Sequence, residues 1–173
     1  MTIREPESAD REAWLAMRSA LWPHCTAGRH ATEMHEYFSQ GGCLVTFVAA
    51  DIDGQLCGFI EASLRPSAEG CTTKPVGYIE GIFVQPSRRR RGVGRLLVAA
   101  VERWAIDHGC VEFASDCHSD NEASIHFHRQ LGFDIARQLV HFRRALGDAT
   151  ENGPSESSEA DARVPGCVRR DGS

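Results

Sequence analysis

The chain predicts an α+β fold, a mixed central sheet flanked by helices, and three observations carry that reading. Residues 43–64 hold two apolar, β-branched runs separated by Asp51-Ile52-Asp53-Gly54, the pattern of a hairpin between antiparallel strands. Residues 78–107 pass from a strand-like run to a helical stripe, with only a basic, glycine-containing turn between them. Helical patterns on both sides of the short run Val111–Ser115 demand crossover connections, so hairpins come early and crossovers late.

The elements follow in the order β-α-α-β-β-β-α-β-α-β. Thr2–Glu5 is a short strand around Ile3. Ser8 suits a helix N-cap, with Asp10 and Glu12 in the first turn and Trp14, Met17 and Leu21 as the apolar stripe. Pro23 stops this helix near Trp22. Residues 23–31 read as a loop carrying His24 and His30. Thr32 caps a second helix with Met34, Tyr37 and Phe38 on its apolar side and Gly41-Gly42 at its end. Cys43–Ala50 and Gln55–Leu64 are the hairpin strands, and Arg65–Pro75 is a polar loop. Tyr78–Val84 is the central strand, ended by Pro86. Val93, Leu96, Leu97, Ala100, Val101 and Trp104 mark one face of a long helix that runs to Asp107 and closes at His108-Gly109. Val111–Ser115 reads as a short buried strand. A helix then starts at Asp120 or Asn121 and ends at Leu131-Gly132-Phe133, where Gly132 suits the left-handed C′ position. Leu139–Leu146 is the last strand. These elements make one domain, residues 1–146. Residues 147–173, with six acids, three arginines and few large apolar residues, are expected to be a disordered tail.

Composition bounds the function. Apolar content of 42% and charged content of 25% are those of a soluble globular protein. No apolar run approaches the ~20 residues of a membrane span. Met1–Glu5 lacks the apolar core of a signal peptide, so the expected location is the cytoplasm. Seven scattered cysteines, an odd number, read as reduced thiols that mostly pack in the core. The net charge of −5 argues against a general nucleic-acid binder and allows a cationic substrate, and the lack of a long apolar run argues against a membrane partner.

The turn between the central strand and the long helix carries Arg88, Arg89, Arg90, Arg91, Gly92, Val93, Gly94 and Arg95. Glycines let backbone N–H groups approach a ligand, and a helix N-terminus carries partial positive charge, so the turn reads as an anion site. It is not a Walker loop, because no Lys follows Gly94. Nor is it a dinucleotide fingerprint, because Leu97 stands where the third glycine belongs. The pattern Arg/Gln-x-x-Gly-x-Gly/Ala, here Arg89-Arg90-Arg91-Gly92-Val93-Gly94, resembles the pyrophosphate loop of the GCN5-related N-acetyltransferases (GNAT), which hold acetyl-coenzyme A. A second motif supports the resemblance. Asn121 to Phe133 is similar to the family's fourth-helix signature, with Asn121, Gly132 and Phe133 matching. Ser124 replaces the usual alanine, and His128 replaces the tyrosine proposed to protonate the leaving thiolate.

The resemblance narrows further. Trp22-Pro23, the strand Tyr78-Ile79-Glu80-Gly81-Ile82-Phe83-Val84 and Ala114-Ser115-Asp116 are similar to the aminoglycoside 6′-N-acetyltransferases, over residues 1–146. The resemblance implies a GNAT fold whose central strands splay into a V-shaped cleft, here between Tyr78–Val84 and Val111–Ser115. It implies acetyl-coenzyme A as cosubstrate, no metal, an aminoglycoside substrate and, as relatives are often dimers, a homodimer. Ile82, Phe83 and Val84 would bond the acetyl and pantetheine portion through the backbone. The turn from Arg89 to Arg95 would hold the pyrophosphate, and Asn121 would touch the coenzyme. Trp22 would pack on the sugar, while Glu80 and Asp116 would bind its ammonium groups and help to deprotonate the amine. His128 is the candidate general acid. Two departures bear on antibiotic range. The loop before the central strand reads Pro66-Ser67-Ala68-Glu69-Gly70 where some relatives have an aromatic residue, and Arg137 stands where a further acid is expected.

This assignment meets the needs of the chemistry. An amine attacks a thioester only when neutral, and a carboxylate beside an arriving ammonium can take its proton, directly or through water, for ~10²–10⁴ in rate. Charge that develops on the carbonyl oxygen needs a donor, such as a free backbone N–H. Residue by residue, blander readings stand beside this one. Glu80 fits an outward-facing surface position, Asp116 a turn cap, Trp22 the core, Asn121 a helix cap and His128 ordinary packing. Cys110, Cys117, His118, His126 and His128 contain no Cys-x-x-Cys pair or other common zinc spacing. Two other functions remain open at this level: acetylation of another amine (a polyamine, peptide or protein), and non-catalytic sensing of acetyl-coenzyme A with the acidic tail binding a partner.

Overall fold

The computed structural model describes residues 1–39, 42–138 and 142–144. In chain order its elements are β1 (Thr2–Arg4), α1 (Arg11–Leu21), α2 (Ala27–Ser39), β2 (Leu44–Ala50), β3 (Leu56–Arg65), β4 (Val76–Val84), α3 (Val93–Asp107), β5 (Phe113–Ser115) and α4 (Glu122–Gln130). The strands form one five-stranded sheet in sequence order. β1 to β4 pair antiparallel, and β4 and β5 pair parallel across the α3 crossover. The predicted last strand, Leu139–Leu146, and the tail 147–173 lie largely outside the described residues; Phe142–Arg144 are described and have no regular structure.

The two faces of the sheet bury different layers. On one, Val93, Leu97, Val98 and Val101 of α3 pack on Val45, Ala49, Cys57, Ile60, Ala62 and Ile79. On the other, Trp14 and Met17 of α1 and Met34 of α2 pack on Val48, Ala50, Leu56 and Phe59. β3 is buried on both faces over Leu56–Ser63, because it lies between these layers. No helix among the described residues is long and apolar enough to cross a membrane.

Several expectations need correction. Ser8 opens a short 3₁₀ turn instead of capping a helix; Glu7 is the cap, and Asp10 returns the bond by accepting from the Glu7 N–H at 2.7 Å. The loop expected over 23–31 is shorter, because α2 begins at Ala27, with the Thr26 hydroxyl accepting from the Arg29 N–H at 3.3 Å. Thr32 therefore caps nothing and sits within α2, its hydroxyl donating to the Gly28 carbonyl at 3.1 Å. The buried stripe of α3 is rotated from the expected one: Val98 and Ala105 are inside, while Leu96 is 47% exposed. Val111 precedes β5 and is 79% exposed, so that strand is shorter and shallower than expected. Among the six described cysteines only Cys57 and Cys110 are buried, so most do not pack in the core.

Candidate active site

The site begins with an irregularity in β4. Glu61 of β3 faces Gly81 while Ala62 faces Ile79, so Glu80 is one residue too many. An extra residue of this kind is a β-bulge, and it bends the strand. On its other edge β4 pairs with β5 only through Gly77, Tyr78 and Ile79. From Glu80 to Val84 that edge has no strand beside it among the described residues, and the burial of β4 falls from full to partial at the same point. The result is a wedge between β4 and β5, along which residues 80–84 have no strand on the β5 side among the described residues. Ile82, Phe83 and Val84 all lie on it.

The turn at the end of β4 is shaped for an anion. After a 3₁₀ turn at Pro86–Arg88, Arg90 takes φ +58° and Gly92 φ +82° before α3 begins. Gly92 does this without strain, having no Cβ. The first helical bond of α3 runs from the Leu96 N–H to the Gly92 carbonyl at 3.1 Å. The N–H groups of Val93, Gly94 and Arg95 therefore have no acceptor within the helix. The arginines divide the work. Arg88 pairs with Asp51 at 2.6 Å, Arg89 Nε donates to the Val84 carbonyl at 2.9 Å, and Arg95 reaches the Gln130 carbonyl at 3.4 Å. Arg90 and Arg91 are exposed, with no ion pair among the described residues. Gly94 has a packing reason of its own: a Cβ there would stand 2.9 Å from the Phe127 ring of α4. The Val93 side chain belongs to the core.

At the other end of the wedge the two predicted carboxylates meet through intermediaries. Glu80 Oε1 accepts from Ser63 Oγ at 2.5 Å and from Arg65 Nε at 3.0 Å, and Oε2 accepts from Arg65 Nη2 at 2.6 Å. The Arg65 guanidinium carbon lies 3.3 Å from the centre of the Tyr78 ring. The Tyr78 hydroxyl in turn donates to Asp116. Burial and this bond to a carboxylate both push the Tyr78 phenol well above its usual range, so it stays a donor at neutral pH. Ser63, Arg65, Tyr78 and Glu80 share the α1/α2 face of the sheet because side chains two apart along a strand project together. Trp22 lies at the same place. Its ring covers Gly81, where any Cβ would collide with it, and it packs 6.1 Å from Phe59. Glycine beside the bulge is what lets the indole settle on the strand. Arg137, standing where an acid is expected, pairs with Glu69 at 2.9 Å, and both are exposed.

His128 and Asn121 are not part of that cluster. Asn121 caps α4, its side chain accepting from the Ser124 N–H at 3.1 Å. His128 lies edge-on to Phe127 and Phe133, and Phe133 packs on Phe113 of β5. Its Nδ1 is 2.8 Å from the Ser124 carbonyl, which requires a proton on Nδ1. Its Nε2 is buried and has no hydrogen-bond partner among the described residues.

One group absent from the sequence reading sits directly behind the bulge. Glu61 and Arg18 are both buried; Arg18 Nη1 lies 2.6 Å from each Glu61 oxygen, and Trp14 Nε1 donates to Oε1 at 3.0 Å. Burial pushes the Glu61 carboxyl up to about 7, while Arg18 and Trp14 pull the other way. Arg18 also pairs with Glu33, donates from Nε to His30 Nδ1 at 3.3 Å, and lies 4.9 Å from the Trp22 ring centre. The signal was present in the sequence: an arginine on the apolar stripe of α1, four residues after Trp14, and an acid within the apolar run of β3. Cys25, His30 and Glu33 bring ligand-type atoms within 4.8 Å of one another. That trio does not suit a metal. His30 Nδ1 accepts from Arg18, so the ring proton of the neutral imidazole is on Nε2, the nitrogen a metal would need.

Comparison with known proteins gives a consistent result. The sequence matches the acetyltransferase (GNAT) family over residues 12–133. Among curated relatives, an aminoglycoside N(6′)-acetyltransferase type 1 of Klebsiella aerogenes is 42% identical over 146 residues, covering 83% of this chain and 96% of its own. The protein of the same description from Salmonella enteritidis is 39% identical over 145 residues, covering 83% of this chain and 99% of its own. Among solved structures, AAC(6′)-Iy in complex with the bisubstrate analogue CoA-S-monomethyl-acetylneamine superimposes with a TM-score of 0.77 at 38% identity, covering 83% of this chain and 97% of the other.

Proposed function

The chain belongs to the GNAT acetyltransferase family, and from that premise we propose that it transfers the acetyl group of acetyl-coenzyme A to the 6′-amine of aminoglycoside antibiotics, conferring resistance. The observation that carries the reading is the bulge at Glu80, which opens the edge of β4 between an anion-binding turn and a pair of carboxylates. Relatives described as 6′-acetyltransferases, matched over 96% and 99% of their own length, support the choice of amine.

The residues take the following parts. The N–H groups of Val93, Gly94 and Arg95, with the side chains of Arg90 and Arg91 and the backbone from Arg89 to Gly92, hold the pyrophosphate. Backbone groups of Ile82, Phe83 and Val84 hold the pantetheine arm in the wedge, and Asn121 contacts the coenzyme while capping α4. Trp22 stacks on the sugar. Asp116 anchors an ammonium group, and Glu80 takes a proton from the reacting one, directly or through water. The neutral nitrogen then bonds to the thioester carbon in a ternary complex. An N–H on the free edge of β4 meets the charge that develops on the carbonyl oxygen. The carbon–sulfur bond breaks, and His128, the candidate general acid, gives a proton to the thiolate. No thiol of the protein is needed as a nucleophile. A cytoplasmic setting and a homodimeric assembly belong to the same proposal; cell fractionation and light scattering test them.

The test is thiol release from acetyl-coenzyme A with tobramycin or kanamycin, against the 6′-hydroxyl compound paromomycin. Release with the 6′-amino compounds and little with paromomycin is the expected result. Equal release with paromomycin would overturn the 6′ position, and release with none of them would overturn the substrate class.

A further inference from the structure

The two carboxylates assigned to the amine are not free. Arg65 covers both oxygens of Glu80, at 3.0 and 2.6 Å, and Ser63 takes a third bond to Oε1 at 2.5 Å. That fork and the Ser63 bond occupy three of the roughly four acceptor positions of the carboxylate, so a substrate ammonium reaches Glu80 only in competition with a guanidinium. The same guanidinium lies 3.3 Å from the centre of the Tyr78 ring, and the phenol is committed to Asp116. Two carboxylates and one arginine leave this end of the wedge with a charge of −1, where a bare acidic pair would offer −2.

We propose that Arg65 is a specificity-determining residue: its guanidinium fills the cation seat on Glu80 in the free enzyme, and a substrate must displace it. The proposal rests on the amine-acetylation reading. Three observations make Arg65 displaceable. Its side chain is 17% exposed, against 2% for Arg18 in the neighbouring pair. It is the last residue of β3 and is followed by the polar loop 66–75, so its side chain can withdraw without disturbing the strand. The face of Tyr78 keeps a cation–π partner for the guanidinium once Glu80 is surrendered, which limits the cost of the exchange. The consequence is selectivity by charge count. A monoamine has one cation to offer and only exchanges one pairing for another. A polycationic amino sugar can set one ammonium on Glu80 and a second on Asp116, so it gains a pairing net. Arg65 thus screens out single amines, including lysine side chains and small amino sugars, and admits polycations.

The experiment compares wild type with Arg65→Gln and Arg65→Lys. Calorimetry gives the Kd for tobramycin and for a monoamino sugar, and thiol release gives KM. Removing the internal cation is expected to tighten tobramycin binding about tenfold and monoamine binding by a larger factor, because the monoamine has no second contact to offset the exchange. Arg65→Lys, which returns a cation without the two-pronged fork, is expected to fall between the two; should Arg65→Gln not fold, a Kd for Arg65→Lys below that of wild type carries the test alone. Unchanged or weaker binding in the variants would overturn the proposal, and so would an equal gain for tobramycin and the monoamino sugar, which relief of like-charge repulsion alone would give. The two failures are separable. Tighter binding without thiol release from any form would overturn acetyl transfer and leave the cation-seat assignment standing. Thiol release with no gain in binding would do the reverse, and no binding to any form would overturn both.

Discussion

Two arginine–glutamate pairs lie side by side on the α1/α2 face of β3 and β4, and they differ mainly in their surroundings. In Arg18–Glu61 both side chains are 2% exposed, and α1 and α2 seal them from any ligand. In Arg65–Glu80 the values are 17% and 6%, and the pair opens onto the wedge. Each carboxylate has an arginine within 2.6 Å and one neutral donor, Trp14 or Ser63, although Arg18 also pairs with Glu33. The lesson is that access to solvent decides what an ion pair is for. A sealed pair can only be kept or broken, and breaking it strands a charge; an accessible pair can trade its arginine for a ligand.

The largest expected effect tests the sealed pair. Arg18→Ala leaves Glu61 buried without its counter-charge and should cost about 3–5 kcal/mol in urea unfolding, whereas Arg65→Ala should cost less, because Arg65 is 17% exposed and water can take the place of its guanidinium. Equal costs would break the comparison.

The pH dependence of stability is next. The folded Glu61 carboxyl keeps its proton to about pH 7, against 4.5 for the unfolded group. Between those values the folded state binds more protons, so the contribution of Glu61 falls as pH rises through that window, by on the order of 3 kcal/mol in all. His30 opposes it: burial and Arg18 hold its imidazole below the usual 6.5, so protonation on acidification through that value costs stability. Wild type should therefore show a shallow profile between pH 5 and 7. Glu61→Gln should show stability rising with pH over the same range. Parallel profiles, read from urea midpoints, would remove Glu61 as a titrating group.

Two glycine substitutions separate the ends of the wedge. Gly81→Ala drives a methyl into the Trp22 ring and should cost about 1–3 kcal/mol, raising KM for the aminoglycoside and leaving that for acetyl-coenzyme A unchanged. Gly92→Ala meets no neighbour within 4 Å but is strained at φ +82°. That strain is about 1 kcal/mol, and here KM for acetyl-coenzyme A should rise instead.

These contrasts also explain what the sequence revealed. The shape of the turn proposed to hold the pyrophosphate was legible because it is built from backbone: Gly92 with its left-handed φ, the switch in periodicity at Val93 and the orphan N–H groups all follow from local residues. The hairpin, the parallel crossover and the α4 boundaries were legible for the same reason. The amine end is built from side chains far apart in the chain, and its logic is pairwise. Family resemblance pointed to Glu80 and Asp116, yet nothing local shows that Arg65 covers one and Tyr78 binds the other. Glu61 carried the same signal as Glu80, an acid in an apolar strand. Only the burial of Arg18 beneath α1 and α2 tells the two apart. The α3 stripe was misplaced because Val98 and Ala105 are as apolar as Leu96, and packing on the sheet decided which side faced in.

The most direct test is Glu80→Gln, with tobramycin turnover and acetyl-coenzyme A affinity measured on the same preparation. The account predicts that kcat falls by ~10²–10⁴ while the Kd for acetyl-coenzyme A holds, since the anion turn lies at the other end of the wedge. A kcat within a few-fold of wild type would contradict it and leave Glu80, like Glu61, a structural carboxylate.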